Sequence, residues 1–172
     1  MKDGSFPDDA FVAGSQKNVN QIFVARVPDE NRVTPCQLHQ GNAGAQYADG
    51  GTVQLKSSYE ILAADNNLHW KKFTIGELPE EALQTGNKAN GDAMYSVKYK
   101  FTGKTCIGKY NGKNKNKAFF VHEGKKFVVE RGVKMEILCY QGSAPEKYVS
   151  IGTKYFAFFL RFHGALLRLS TF

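Results

Sequence analysis

The sequence predicts an all-β fold made of two tandem, homologous β-rich repeats, and three observations carry the prediction. A stretch of chain recurs 72 positions later, apolar and charged residues alternate in short runs, and glycines separate those runs. Pro7-Asp8-Asp9-Ala10-Phe11-Val12-Ala13-Gly14 returns as Pro79-Glu80-Glu81-Ala82-Leu83-Gln84-Thr85-Gly86, and at the same offset residues 22–26 meet residues 94–98. Residues 58–62 return at 134–138, an offset of 76, so the second copy gains four residues, which the Lys/Asn-rich stretch at 111–117 is expected to hold.

Each run reads as a strand. Val97, Tyr99 and Phe101 alternate with Lys98 and Lys100, and Val133, Met135, Ile137 and Cys139 alternate with Lys134 and Glu136, the period-two pattern of a strand with one buried face. Between the runs, glycines such as Gly50-Gly51, Gly103 and Gly124 supply the reversals, because a residue without Cβ accepts positive φ. Only residues 79–83 and their partner at Pro7 suggest a short helical turn, with proline first and two acids following. A copy of about 60 to 70 residues buries too little for a comfortable core, so the two are expected to pack about a pseudo-twofold axis. The boundaries that follow are 1–68 for the first repeat, 69–140 for the second and 141–172 for a tail outside the repeat.

Composition narrows the class further. With 172 residues, 42% of them hydrophobic and 13% aromatic, the chain can offset the entropy of folding. Cys36, Cys106 and Cys139 are an odd number without a C-x-x-C pair, so they are read as reduced thiols and not as a disulfide framework or zinc site. Residues 1–9 carry three aspartates and no hydrophobic run, and no N-x-[ST] sequon occurs; a cytoplasmic or vesicle-associated location is the expectation, with any export by an unconventional route. The net charge of +7 is concentrated: ten Lys or Arg between Lys100 and Lys134, less Glu123 and Glu130, leave +8 there and −1 elsewhere. Such a stretch either attracts phosphate or sulfate groups or is simply solvated.

In the second copy stand Trp70, Pro79, Ala82, Gly86, Tyr95, Lys98, Lys109 and a closing Met135-Glu136-Ile137-Leu138. The first shows Pro7, Ala10, Gly14, Phe23, Arg26, Pro35 and Tyr59-Glu60-Ile61-Leu62, without the opening Trp. In this order, twice, from about residue 6 to 140, they resemble the DM-nine repeat family of invertebrate proteins. That family's unit opens with Trp, runs through P-x-x-A-x-x-G, an aromatic strand ending in Arg and a P-x-K strand, and closes on Y-E-V-L. The resemblance implies a tandem β fold and lectin-like binding of mannose-type sugars without catalysis, as in pattern recognition, innate immunity or host interaction; the repeat also accompanies pore-forming domains in natterin-like toxins.

It implies a site as well. In the sugar-binding members an Asp two residues after the P-x-x-A-x-x-G glycine and the Lys of P-x-K hold sugar hydroxyls. Those positions are Gln16 and Gln37 in the first copy, and Lys88 and Lys109 in the second. Both charges are thus replaced by amides in one copy, and in the other two cations stand where the family has an ion pair, which suits an acidic glycan better than neutral mannose. Arg26 and Lys98 are further candidates, either lining the cleft between copies or facing solvent. Trp70 either stacks on a sugar or anchors the core, and as the single Trp at a repeat start it fits the core better.

Other classes find less support. The four histidines show no ligand spacing, so neither metal nor cofactor is expected, and nucleic acid is not an expected partner. Gly103-Lys104-Thr105 imitates the end of a phosphate loop, but position 98, which would need glycine, is Lys98. No constellation meets the geometric demands of catalysis, so the chain reads as a non-enzyme. The tail from 148 to 172 is apolar and basic, and reads either as a membrane-surface segment or as an end without an evolved role. The expected partners are therefore glycans, mannose-type or acidic, in a monomer or homodimer. The competing class is a vesicle- or membrane-associated protein that binds anionic headgroups through its basic stretch.

Overall fold

The computed structural model describes residues 8–15, 20–63 and 65–142, and the backbone of 159–163 and 166–168. Every strand pairing among them is antiparallel and no helix is present. The first half forms β1 (Val12–Ser15), β2 (Gln21–Asp29), β3 (Arg32–His39), β4 (Ala45–Asp49), β5 (Thr52–Lys56) and β6 (Tyr59–Leu62). Then follow β7 (Leu68–Thr74), β8 (Gln84–Asn87), β9 (Ala93–Phe101), β10 (Lys104–Asn111), β11 (Lys117–His122), β12 (Lys125–Glu130) and β13 (Lys134–Tyr140). The order β5-β4-β3-β2-β1, with β6 also on β2, recurs as β12-β11-β10-β9-β8 with β13 on β9. Registers recur too: Arg26↔Glu60 and Ala25↔Ile61 in the first half, Lys98↔Glu136 and Val97↔Ile137 in the second.

Pairing also locates the inserted residues. Buried Ala45 pairs with Lys56, and buried Ala118 with Val129, so the offset is already 73 at β11. One residue has therefore entered the Lys/Asn hairpin, and the other three lie between β12 and β13, not in that hairpin as expected. The segment at 79–83 is likewise not helical. Its Ala82 N–H donates to the Pro79 carbonyl at 3.2 Å, closing a single turn, and Ala82 then bridges to Cys139.

The halves meet closely. Val33 of β3 bridges Asn87 of β8, and a Cβ on Gly86 would come within 2.1 Å of the Val33 carbonyl oxygen, so only glycine lets the strands approach. Phe23, Ala25, Leu38 and Ile61 form a core within the first half, while Tyr95, Val97, Tyr110 and Ile137 do so in the second. A third cluster joins Ile22, Val24 and Leu62 to Ile107, Leu83 and Leu138 across the two. β9 departs from strict alternation: Met94, Tyr95, Ser96 and Val97 are all buried, Tyr95 and Val97 in the core of the second half. Polar Ser96 is accommodated by donating its hydroxyl to Thr85 at 2.9 Å. Tyr59 is half-buried at the rim of its cluster. Trp70 packs against the shared core, beside Phe11 and beneath the Lys98 ammonium, 4.6 Å from its ring, and so serves as an anchor.

Part of the tail pairs with the first half. β14 (Phe159–His163) pairs with β6, placing Phe159 opposite Leu62 and Phe162 opposite Tyr59, and β15 (Leu166–Arg168) pairs with β14. On β13, β7 sets Trp70 opposite Leu138 and Phe73 opposite Met135. With the 76-residue offset these registers are the same, so β14 occupies on β6 the place that β7 occupies on β13. A free strand edge is a costly exposure of N–H and C=O groups, and β14 covers it. The remainder of 143–172 lies outside the described residues.

Candidate functional site

Lys88, just after β8, and Lys109 on β10 line one cavity of about 510 Å³. Its other wall comes from the first half: Arg32 at the start of β3, and Asp49 and Gly50 at the β4–β5 turn. Lys88 sits in a turn that is closed twice, by its own N–H to the Asp92 carbonyl and by the Gly91 N–H to its carbonyl, both 2.9 Å. Arg32 Nη2 donates to Asp49 Oδ2 at 2.9 Å, and this bond holds the guanidinium above its ordinary range. Burial lowers the Lys109 ammonium from the ordinary lysine range; Asp49 opposes the shift, and Arg32, Lys126 and Lys88 add to it. The cavity thus gathers Arg32, Lys88, Lys109 and Lys117 around a single carboxylate, with Met94 and Phe119 as apolar surface. Such a set can hold an anionic substituent by charge-assisted hydrogen bonds while Asp49 accepts from hydroxyls and the apolar patch packs on a ring.

Sequence reading missed Arg32 and Asp49, because both reach the cavity from the opposite half. The available signal was local: an acid placed directly before the Gly50-Gly51 turn.

Gln37, the counterpart of Lys109, lines a smaller cavity of about 280 Å³ with His39, Lys104, Cys106 and His122. Its amide is committed elsewhere. Gln37 Nε2 donates to the Val121 carbonyl at 2.8 Å, and Oε1 accepts from the Ile107 N–H at 3.2 Å, so this buried side chain clamps the two halves together. Lys109, whose ammonium only donates, could not accept such an N–H, and no hydrogen bond holds it among the described residues. Lys109 is consequently left facing its cavity, and neither it nor Lys88 has an ion-pair partner among the described residues.

The remaining candidates separate from this site. Gln16 lies outside the described residues. Arg26 Nε bonds Glu60 Oε2 at 2.7 Å, and Lys98 Nζ meets Glu136 Oε2 at 3.1 Å. Both cations are part-buried against the glutamate of the paired strand and neither faces solvent or lines these two cavities. A third and larger cavity, about 760 Å³, opens beside the turn at 79–83, but its Lys71 and Glu81 are bonded to one another. The basic stretch is similarly balanced in part: Lys104 pairs with Glu123, Lys113 with Asp92 and Lys117 with Glu130. All three cysteines are free and buried, and burial pushes the Cys106 and Cys139 thiols up to about 11. Among the described residues there is no group of three metal ligands and no helix long and apolar enough to cross a membrane.

A family model described as the DM9 repeat matches residues 16–129, more than half of the chain. The chain belongs to the DM9 repeat family. DM9 repeats are binding modules associated with carbohydrate-binding, lectin-like proteins and are not a known enzyme family. The match spans both halves and includes every residue of the larger inter-half cavity. Comparison with curated proteins finds no match.

Proposed function

We propose that this DM9 protein is a non-catalytic lectin-like module whose inter-half cavity holds an acidic glycan, one bearing sulfate or carboxylate. The observation that carries the reading is the convergence of Arg32, Lys88 and Lys109 with Asp49 in one cavity. The ammonium groups of Lys88 and Lys109 hold the anionic substituent. Asp49, oriented by Arg32, accepts from neighbouring hydroxyls, and so restores from the other half the carboxylate that position 88 lacks. Partial desolvation of Lys109 strengthens its bond to an anion, because less water competes for the ammonium. We further propose that the halves are two DM9 repeats packed about a pseudo-twofold axis, a reading supported by the recurring registers and by equivalent cavities.

Calorimetry against mannose, a hexose 6-sulfate and acidic phospholipid vesicles tests the function. The sulfated sugar is expected to bind more tightly than mannose, and the Lys88→Asp variant to shift preference toward mannose. Tighter binding to the vesicles than to any sugar, or unchanged preference in Lys88→Asp, would replace this reading with the headgroup one.

A further inference from the structure

The smaller cavity answers to the larger one residue by residue. With the offsets set by pairing, Lys104 corresponds to Arg32, Cys106 to Thr34, His122 to Asp49 and His39 to Asn111. Where the larger cavity carries permanent charges, the smaller carries two imidazoles, His39 from β3 and His122 from β11. Amides of Asn20, Asn42 and Gln46 complete a polar wall. Lys104 Nζ contacts Glu123 Oε1 at 2.6 Å, so the other charged groups that line the cavity among the described residues cancel. Cys106, also facing it, keeps its proton because burial pushes the thiol up to about 11. In the neutral state of both histidines this cavity therefore offers no net attraction to an anion.

We propose that the smaller cavity is a second binding site for the same class of acidic sugar, and that it fills only on acidification, when His39 and His122 become charged. The proposal rests on the reading of the larger cavity given above and adds to it a pH-gated partner. The His122 side chain is 13% exposed, with Nε2 3.7 Å from Glu123 Oε1 and Nδ1 3.6 Å from Cys106 Sγ. Glu123 adopts a positive φ of 48° in its turn, which Gly124 continues at 72°, the pairing of a tight two-residue hairpin, and this places its carboxylate at the cavity rim. His39 is lowered from its ordinary range, first by burial and then by His122. Two imidazoles that disfavour each other's charge accept protons more readily once an anion lies between them. Binding and protonation are therefore linked, and affinity falls on the order of tenfold per pH unit above the imidazole range for each proton taken up. Lysine and arginine keep the larger cavity charged throughout this window. The consequence is one site at neutral pH and two in acid, with the avidity for a multivalent glycan that two sites provide.

Calorimetry with a hexose 6-sulfate at pH 7.5 and 5.0, in buffers of differing ionisation enthalpy, tests this. Sulfate is chosen because phosphate itself titrates near pH 6. One site is expected at pH 7.5 and two at pH 5.0, with proton uptake as the second fills. The double variant His39→Gln, His122→Gln should retain one site at both pH values, whereas Lys109→Ala at pH 5.0 should weaken the first site by roughly tenfold or more and leave the second unchanged. As a measurement on the unaltered protein, the imidazole resonances of His39 and His122 should titrate at higher pH with sugar present. One site at both pH values, a second site that survives the histidine double variant, or imidazole titration indifferent to sugar would overturn the proposal and leave the first site standing. Absence of binding at both pH values would overturn both.

Discussion

Gln37→Leu is expected to weaken the fold and not merely the smaller cavity. The leucine roughly conserves volume, so the variant isolates the two hydrogen bonds that cross between the halves, to the Val121 carbonyl at 2.8 Å and from the Ile107 N–H at 3.2 Å. Gln37 is 2% exposed, so neither backbone group would readily find water in its place. Each buried group left without a partner costs about 1 to 3 kcal/mol, and two together about 2 to 5, the carbonyl counting toward the low end because it has two lone pairs. For a chain of this length roughly 2 to 4 °C of melting temperature accompanies each kcal/mol. A fall of about 4 to 20 °C is therefore expected in thermal unfolding followed by circular dichroism. Gln54→Leu, a glutamine whose side chain only reaches Thr52 in the exposed β5, serves as the control and should change the midpoint little. If Gln37→Leu melts within a degree or two of the parent, the amide is not a clamp and is available to ligand.

Lys109→Ala should weaken binding of a sulfated sugar at pH 7.5 by roughly tenfold or more, the loss of one charge-assisted bond of about 1.5 to 3 kcal/mol, read by calorimetry. Because an anion prefers the charged ammonium and burial lowers Lys109, affinity should decline with rising pH before the ordinary lysine range is reached; a flat profile into that range would contradict the assignment. Gly86→Ala should destabilise the inter-half contact by about 1 to 3 kcal/mol or more, since its Cβ would sit 2.1 Å from the Val33 carbonyl oxygen; denaturant unfolding measures it. Truncation after Gly142 removes β14 from the edge of β6, so the amides of Tyr59–Leu62 that face it should lose hydrogen-exchange protection, and unchanged protection would show the pairing to be dispensable.

Strand class, the tandem motif and the family were legible in the sequence because each is written in local terms: period-two burial, glycines at reversals, and motifs returning at fixed offsets. Even there, local reading stopped short at β9, where Met94 to Val97 are all buried, Tyr95 and Val97 in the core of the second half and Met94 on the wall of the inter-half cavity. The same limit applied to the tail. Residues 159–163 share no motif with the repeat, yet pair with β6 in the register that β7 takes on β13, because an antiparallel edge accepts a strand through its backbone and not through a signature. Lys88 and Lys109 were legible as candidates from their motif positions, and the fold brings them into one cavity. Their partners Arg32 and Asp49 were not, since nothing near either residue records what the opposite half will place across from it. Gln37 makes the point most sharply: it and Lys109 occupy equivalent positions, but the Gln37 amide, which both donates and accepts, is held by the Val121 carbonyl and the Ile107 N–H of the other half, whereas no hydrogen bond holds the donor-only Lys109 among the described residues. Whether a polar side chain is spent on the fold or left for a ligand was decided by which backbone group the tertiary structure set opposite it, because a buried amide must be paired while a cation at a cavity wall can wait for an anion.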